Sequence, residues 1–285
     1  MTEEIAPYKT RSKPQLHVSA LGMKCMEAFR RRYIEREVIP PGVALVVGTG
    51  THRGVDVNMH YKIETGDLLP IEAVADAARD GVNHAWEKDG VKLEPDEVAR
   101  GVKAVRGEAI DKAVRLATLH AKEKAPRIFP IHAERPWSLE IKGYPLDLVG
   151  RLDIQEADTV RDTKTSGKTP SEDVAEKSLQ LKAYALAVQV LDGKAPGKVF
   201  LDYLIDTKTP KTATFEHSPD IDDFQAVLNR VEVISMAMTR GVFVPVEPDH
   251  WCCSEKFCGY WNTCKYIRRP KQFAAWEKGG SSWLQ

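Results

Sequence analysis

Asp153, Asp162 and Lys164, followed by Gln180 and Tyr184, are the residues of this 285-residue chain whose types and spacing point most directly to chemistry. Asp162 and Lys164 stand two apart in the run VRDTKTS, and strand periodicity places both side chains on one face. Asp153, in GRLD, lies one short turn upstream, so that pairing of the two strands brings its carboxylate toward that of Asp162. Two carboxylates converging on one point repel each other unless a cation lies between them, and hard oxygen ligands select Mg²⁺ or Mn²⁺. Such an ion lowers the pKa of a water and polarises a phosphoryl oxygen. A lysine beside it orients or deprotonates the water, or offsets charge on a phosphorane. Gln180 and Tyr184, four apart in QLKAY, share one helix face behind the strand that carries Lys164. Taken singly, each has a plainer reading: a solvated Asp–Lys pair, a turn aspartate, an exposed glutamine, a packing tyrosine. Their joint spacing singles them out.

The elements that would position them follow from the hydrophobic pattern. Residues 1–16 read as an arm with two prolines. Ser19 predicts a helix to about Glu35, with Leu21, Met26, Phe29 and Tyr33 on its buried side. After the prolines at 40 and 41, VALVVGTGTHRG enters a second helix carrying His52, which Gly66 ends. Residues 70–88 and 95–123 predict two more helices. From Ile131 to Lys164 the pattern alternates, with turn signals at 142–145 and 155–158, and predicts a three-stranded meander. A helix from about Glu172 to Leu191, a hairpin over 198–217 and a helix from Pro219 to about Thr239 complete an α/β chain. Its helical part is expected at 17–125, its sheet core at 130–240, a cysteine segment at 245–266 and a loose tail over 271–285, all but the arm and tail in one domain.

Composition excludes several classes. With 42% hydrophobic and 29% charged residues the chain is neither disordered nor fibrous. Its longest aliphatic run, Val43 to Val47, is too short to span a bilayer, and its first residues lack the apolar core of a secretion signal. The expected location is therefore cytoplasmic, with no membrane partner. Lys and Arg (41) balance Asp and Glu (41), so nucleic-acid binding would rest on local patches or on metal ions that invert the local charge.

The set GRLD, D-T-K and Q-L-K-A-Y resembles the PD-(D/E)xK nuclease superfamily in its RecB-like branch. The resemblance spans about Val18 to Tyr266, and its motifs are short individually but specific together. It implies a restriction-endonuclease-like core, a mixed central sheet flanked by helices, here with a helical N-terminal elaboration and a C-terminal cysteine-rich cluster segment. It implies Asp153, Asp162 and the Thr163 carbonyl as ligands of Mg²⁺ or Mn²⁺, Lys164 as the catalytic lysine, and Gln180 and Tyr184 as residues that support the site and contact DNA. Gly48 and His52 match the branch's G-xxx-H, which makes His52 a metal ligand; on sequence alone it reads as a surface or packing histidine. Glu134 falls where relatives carry an acidic residue on the first strand, and its role stays open between site carboxylate and surface charge. The implied activity is DNA exonuclease hydrolysis, on single-stranded DNA or a free end, in recombination, repair or phage DNA processing, with a helicase or recombinase as a possible partner.

Cys25 stands alone, whereas Cys252, Cys253, Cys258 and Cys264 crowd the C-terminal part, a distribution more typical of metal ligation than of disulfides. It resembles the iron–sulfur nucleases of the same branch, such as the AddB nuclease domain and CRISPR-associated or phage RecB-like exonucleases. The resemblance implies a [4Fe-4S] cluster on Cys25, Cys253, Cys258 and Cys264, acting as a structural staple. The four residues between Cys253 and Cys258 exceed the usual two, which keeps Zn²⁺ in a Cys₄ site and Cys252 as an alternative ligand open. Arg31 and Arg53 are candidate phosphate contacts, although solvated helix faces account for most such cations. Two other readings compete with the nuclease: a non-catalytic DNA-end-binding scaffold of the same fold, and a zinc-stabilised regulatory protein.

Overall fold

Of the arm expected over 1–16, residues 1–12 lie outside the described residues, and 15–16 belong to a strand. In the computed structural model, which describes residues 13–267, β1 (Gln15–His17) buries Leu16 and pairs in parallel with a later strand. The proposed tail at 271–285 lies outside the described residues. The chain forms two compact units, one of residues 13–22 with Pro40–Gly241, the other of Met23–Ile39 with 242–267.

In the smaller unit the helix expected from Ser19 to Glu35 is broken up. Ser19 lies in a 3-10 turn outside this unit, Cys25 is extended (φ −94°, ψ 112°), and only then does α1 (Met26–Phe29) begin, running into a π-helical turn, Arg30–Ile34. Long-range ties explain the break. The Met26 amide donates to the Val244 carbonyl (3.1 Å), and the Phe29 ring stacks on Phe243. A continuous helix would consume the Met26 amide internally. The remainder of this unit is a series of turns holding Cys252, Cys253, Cys258 and Cys264.

The larger unit places a helical layer against a sheet. Helix α2 (Val43–Thr65) starts after Gly42 and stops at Gly66, whose φ of 84° only glycine adopts readily. Helix α3 (Ile71–Asp89) follows Pro70. Helix α4 (Pro95–Arg100) opens with proline in its first turn and a Glu94–Glu97 capping box. The single helix expected over 95–123 is interrupted because Gly101 takes φ 88°, and α5 (Val102–Glu123) starts afresh. Buried Val46, Val47, Val82, Ala109, Ala113 and Leu116 knit α2, α3 and α5 together. Each large aliphatic side chain contributes about 1.5–3 kcal/mol when fully buried.

The sheet is mixed. Strands β2 (His132–Glu140), β3 (Asp147–Gln155) and β4 (Thr159–Ser166) form the expected meander. Helix α6 (Leu179–Asp192) begins later than expected, since only a 3-10 turn forms at Glu172–Val174 and Ser178 supplies the cap. It crosses over to β5 (Lys198–Ile205), parallel to β4. Strand β6 (Lys211–His217) closes the edge, and α7 (Ile221–Arg240) ends the unit. The order is β1-β3-β4-β5-β6, with β2 on the other side of β3. This is the α/β, restriction-endonuclease-like architecture, a central mixed sheet between helices. Among the described residues no helix is long and apolar enough to cross a membrane.

At Gly50, α2 packs tightly against α3. A Cβ there would lie 2.8 Å from the Ala78 carbonyl and would collide with Val82. Gly107 on α5 has open space around it. Gly50→Ala should therefore lower unfolding stability by about 1–3 kcal/mol through overpacking, whereas Gly107→Ala should raise it by about 0.5–1 kcal/mol by restricting the unfolded chain. Urea unfolding midpoints check both; equal shifts for the two variants would contradict this packing.

Candidate active site

The site lies where β3 and β4 part. The two strands pair only at Ile154↔Arg161 and Gln155↔Val160, and the next position, Asp153 opposite Asp162, is unpaired. Asp153 replaces the missing ladder bond with its side chain, Oδ2 accepting from the Thr163 amide at 2.9 Å. Helices reach the split from opposite faces. A Cβ on Gly48 of α2 would lie 3.6 Å from Thr165 Oγ1, whereas the neighbouring Lys164 points the other way, to Gln180 of α6.

From α2, four residues beyond Gly48, His52 brings Nδ1 to 3.5 Å from Asp153 Oδ2. Glu134 of β2 completes a triad: one ligand atom from each of His52, Glu134 and Asp153 lies within 4.8 Å of the others. Glu134 reaches that position because its φ is 49°, left-handed for a non-glycine residue inside a strand. The Ala133↔Ile154 and Arg135↔Leu152 pairs flank it, but Glu134 itself is skipped in the ladder. Such a conformation costs on the order of 1–2 kcal/mol and persists only where its surroundings hold it. Arg151 Nη1, 3.3 Å from its carboxylate, helps do so.

On the α6 face a hydrogen-bonded chain runs away from the carboxylates. Lys164 Nζ stands 2.7 Å from Asp162 Oδ2 as an ion pair whose angles are not those of a hydrogen bond, and it donates to Gln180 Oε1 at 3.0 Å. Gln180 Nε2 donates to the Tyr184 hydroxyl at 2.6 Å. Tyr184 is buried and meets the edge of Trp137, ring centroids 6.3 Å apart. Trp137 in turn lies across Gly150, where any Cβ would strike its ring. The glycine of GRLD thus makes room for the indole that backs Tyr184.

Electrostatics favour a cation here. Asp162 is 1% exposed, and neither of its oxygens has a hydrogen-bond partner. Burial, then the Asp162 charge, pushes the Asp153 carboxyl well above its usual range. Burial alone would lower the Lys164 pKa, but Asp162 and Asp153 outweigh it and keep the ammonium charged. Burial holds His52 below its ordinary value, toward the neutral form that ligates metals. Clustered carboxylates and a neutral imidazole are a donor set that a hard divalent cation satisfies.

The structure thus brings together His52, Asp153, Asp162, Thr163, Lys164, Gln180 and Tyr184, and it gives Glu134, open from sequence, a position among them. Arg31 is a different matter. In the smaller unit its guanidinium pairs with Glu37 (2.6 Å), donates to Thr263 Oγ1 (2.7 Å) and lies over the Tyr260 ring, which leaves little of it for a phosphate. Arg53 is exposed but bound to Asp56 at 2.8 Å. The sequence reading missed His120 of α5, fully buried with neither ring nitrogen bonded and electrostatically coupled to Asp202 and His52. The apolar residues at helical spacing before it on α5, Ala113, Leu116 and Ala117, were the available signal that position 120 faces inward.

Fold and split carboxylate site together define a nuclease-type α/β protein. The profile of the PD-(D/E)XK nuclease superfamily matches residues 20–265, and the chain belongs to that superfamily. A crystal structure from Eubacterium rectale, described as a candidate exonuclease, is similar with a TM-score of 0.57 at 13% identity, covering 98% of this chain and 100% of that one. At that identity the likeness bears on the fold. The SSO0001 structure is more distant (TM-score 0.43, 13% identity, 91% and 90% coverage). No curated protein matches the chain.

His120 also gives a pH signature. Burial lowers its pKa from 6.5 to about 4. As pH falls below 6.5 the unfolded chain takes up the proton first, so stability is complete above that value and is lost on the way down to about 4. The loss is about 3 kcal/mol. His120→Gln should flatten that part of the urea-stability profile; profiles falling in parallel would refute the assignment.

Proposed function

We propose that the protein is a metal-dependent DNA exonuclease that hydrolyses phosphodiester bonds on single strands or free ends. The observation that carries the reading is the triad of His52, Glu134 and Asp153, whose ligand atoms lie within 4.8 Å of one another, with the buried Asp162 carboxylate acting electrostatically on Asp153 and paired with Lys164. Mg²⁺ or Mn²⁺ is the ion proposed, with Asp153, Asp162, His52, Glu134 and the Thr163 carbonyl as its ligands. Bound there, it would supply Lewis acidity and a more acidic water. The preference for DNA ends and single strands rests on the motif resemblance and on the fold shared with the candidate exonuclease. The same resemblance is the basis for a setting in recombination, repair or phage DNA processing.

The chain's own residues have separable roles. Asp153 and Asp162 bring negative charge to the strand split. Lys164, beside Asp162, would offset charge on the phosphate as it is attacked, or orient the attacking water. Gln180 receives one Lys164 proton in a hydrogen bond and fixes the ammonium's direction. Tyr184 holds Gln180 in turn, so both are positioning residues.

In the smaller unit, Cys25, Cys253, Cys258 and Cys264 are proposed to hold a [4Fe-4S] cluster, with Zn²⁺ as the competing occupant. All the cysteines are free and half-buried. Burial raises the Cys253 thiol, and nearby Cys258, Cys264, Cys25 and Cys252 raise it further, as expected where thiols converge without a cation. Cys252 acts on both Cys253 and Cys258, so it stays the alternative ligand to Cys253.

The test is anaerobic purification, a visible spectrum, and digestion of end-labelled single-stranded DNA with Mg²⁺ or Mn²⁺. Asp162→Ala and Lys164→Ala should each lower the rate by about 10³-fold or more, and Tyr184→Phe by about 10-fold with KM little changed. An inactive wild type, or alanine variants that cut like wild type, would end the nuclease reading. A colourless zinc protein would end the iron–sulfur assignment alone.

A further inference from the structure

Beneath the strand split, on the α5 side of the sheet, lies a cleft of about 560 Å³ that the hydrolytic site does not use. Its walls carry Lys122, Lys124, Arg127 and Arg161, with Phe200 as an aromatic floor and Glu123 as the one acid among the lining residues. We propose that this cleft binds a nucleotide phosphate together with its base, as a second contact for nucleic acid apart from the cutting site. The choice of nucleotide over other anions rests on membership of a nuclease family.

The cleft is built on a fixed charge network. Asp202, fully buried, accepts from Lys124 Nζ (3.0 Å) and Arg161 Nη1 (3.0 Å) and is bonded by Thr214. Arg161 is further fixed by Glu156, 2.6 Å from its Nε, and its guanidinium lies 4.3 Å from the centre of the Phe200 ring. Both cations are mostly buried, each side chain 16% exposed, so their remaining N–H groups point from a preorganised wall. Lys122 and Arg127 stand exposed at the mouth, and neither has a carboxylate partner among the described residues. Four cations therefore face three acids, Glu123, Asp202 and Glu156, and the excess lies at the mouth.

Charge alone would suit any anion. The aromatic rings narrow the choice. Phe129 follows the lining residue Ile128 directly, is 70% exposed, and has Lys62 Nζ 4.8 Å from its ring centre. Its amide is bonded to Glu156, the acid that holds Arg161, so the exposed ring is fixed to the cleft's own framework. An aromatic floor with two cations at the mouth that have no carboxylate partner among the described residues offers contacts to the two halves of a nucleotide, base and phosphate. An acidic peptide would use the cations and leave the aromatic floor unused.

The experiment measures binding, not cutting. Fluorescein-labelled dT₁₂ is titrated by anisotropy in EDTA at several salt concentrations, and dTMP by calorimetry. Lys122→Ala combined with Arg127→Ala should raise the dT₁₂ Kd about tenfold and reduce the log–log salt slope by about 1.4, two phosphate contacts on a single strand. Phe129→Ala should raise the Kd without changing the slope. The charge-matched pair Lys88→Ala and Lys103→Ala, exposed elsewhere on the helical layer, should leave both unchanged. Loss of dTMP binding in the Lys122/Arg127 variant also supports the cleft and assigns it to a free nucleotide; loss of dT₁₂ binding alone assigns it to a strand. An unchanged Kd for both probes overturns the inference, as does an equal loss in the control pair or competition by polyglutamate as strong as by dT₁₂. A wild type that binds through the cleft but hydrolyses nothing would keep this inference and end the nuclease proposal. One that hydrolyses DNA but is indifferent to the variants would do the reverse.

Discussion

The repulsion between Asp153 and Asp162 is the constraint around which the larger unit is arranged. Strands β3 and β4 could continue to pair past Ile154 and Arg161, but doing so would carry two carboxylates into adjacent ladder positions. Instead the strands part, and the Thr163 amide, freed from the ladder, bonds the Asp153 side chain. The gap admits His52 from one face and Lys164 from the other. Its neighbours include one that supplies positive charge to that gap and others that pack behind it. Lys164 does the first, and the Tyr184–Trp137–Gly150 stack does the second.

The opposite side of β4 shows the same principle with the signs reversed. Arg161 precedes Asp162 and points the other way, and its register partner Phe200 lies under its guanidinium. Two residues further along each strand, Thr163 sits beside Asp202, which collects cations much as the split collects acids. A single strand thus separates an acid-rich centre from a base-rich one. Fully buried His120, kept neutral, lies in the electrostatic reach of both Asp202 and His52 without adding charge to either.

What sequence could reveal was what is local. Asp162 with Lys164, Gln180 with Tyr184, and Gly48 with His52 are spacings of two or four residues, set by strand and helix periods alone. Their elements were legible for the same reason, as was the stop of α2 at Gly66. Glu134 was not, because its side chain reaches the site through a backbone angle that glutamate rarely adopts and no residue type announces. The helix expected from Ser19 to Glu35 failed because the Met26–Val244 bond joins segments more than two hundred residues apart. Periodicity cannot report such a contact. Gly101 was a visible signal outweighed by the helical composition on either side, although its φ of 88° decides the matter.

That same Met26–Val244 bond has a temporal meaning. The smaller unit draws on Met23–Ile39 and on residues 242–267, so its early half emerges from the ribosome long before its partner strand of chain exists. Every element of the sheet and its helices except β1 and the short turn after it is synthesised in the interval. The order of synthesis therefore favours a larger unit that forms first, while the cysteine-bearing unit stays open, Cys25 with it, until translation is nearly over.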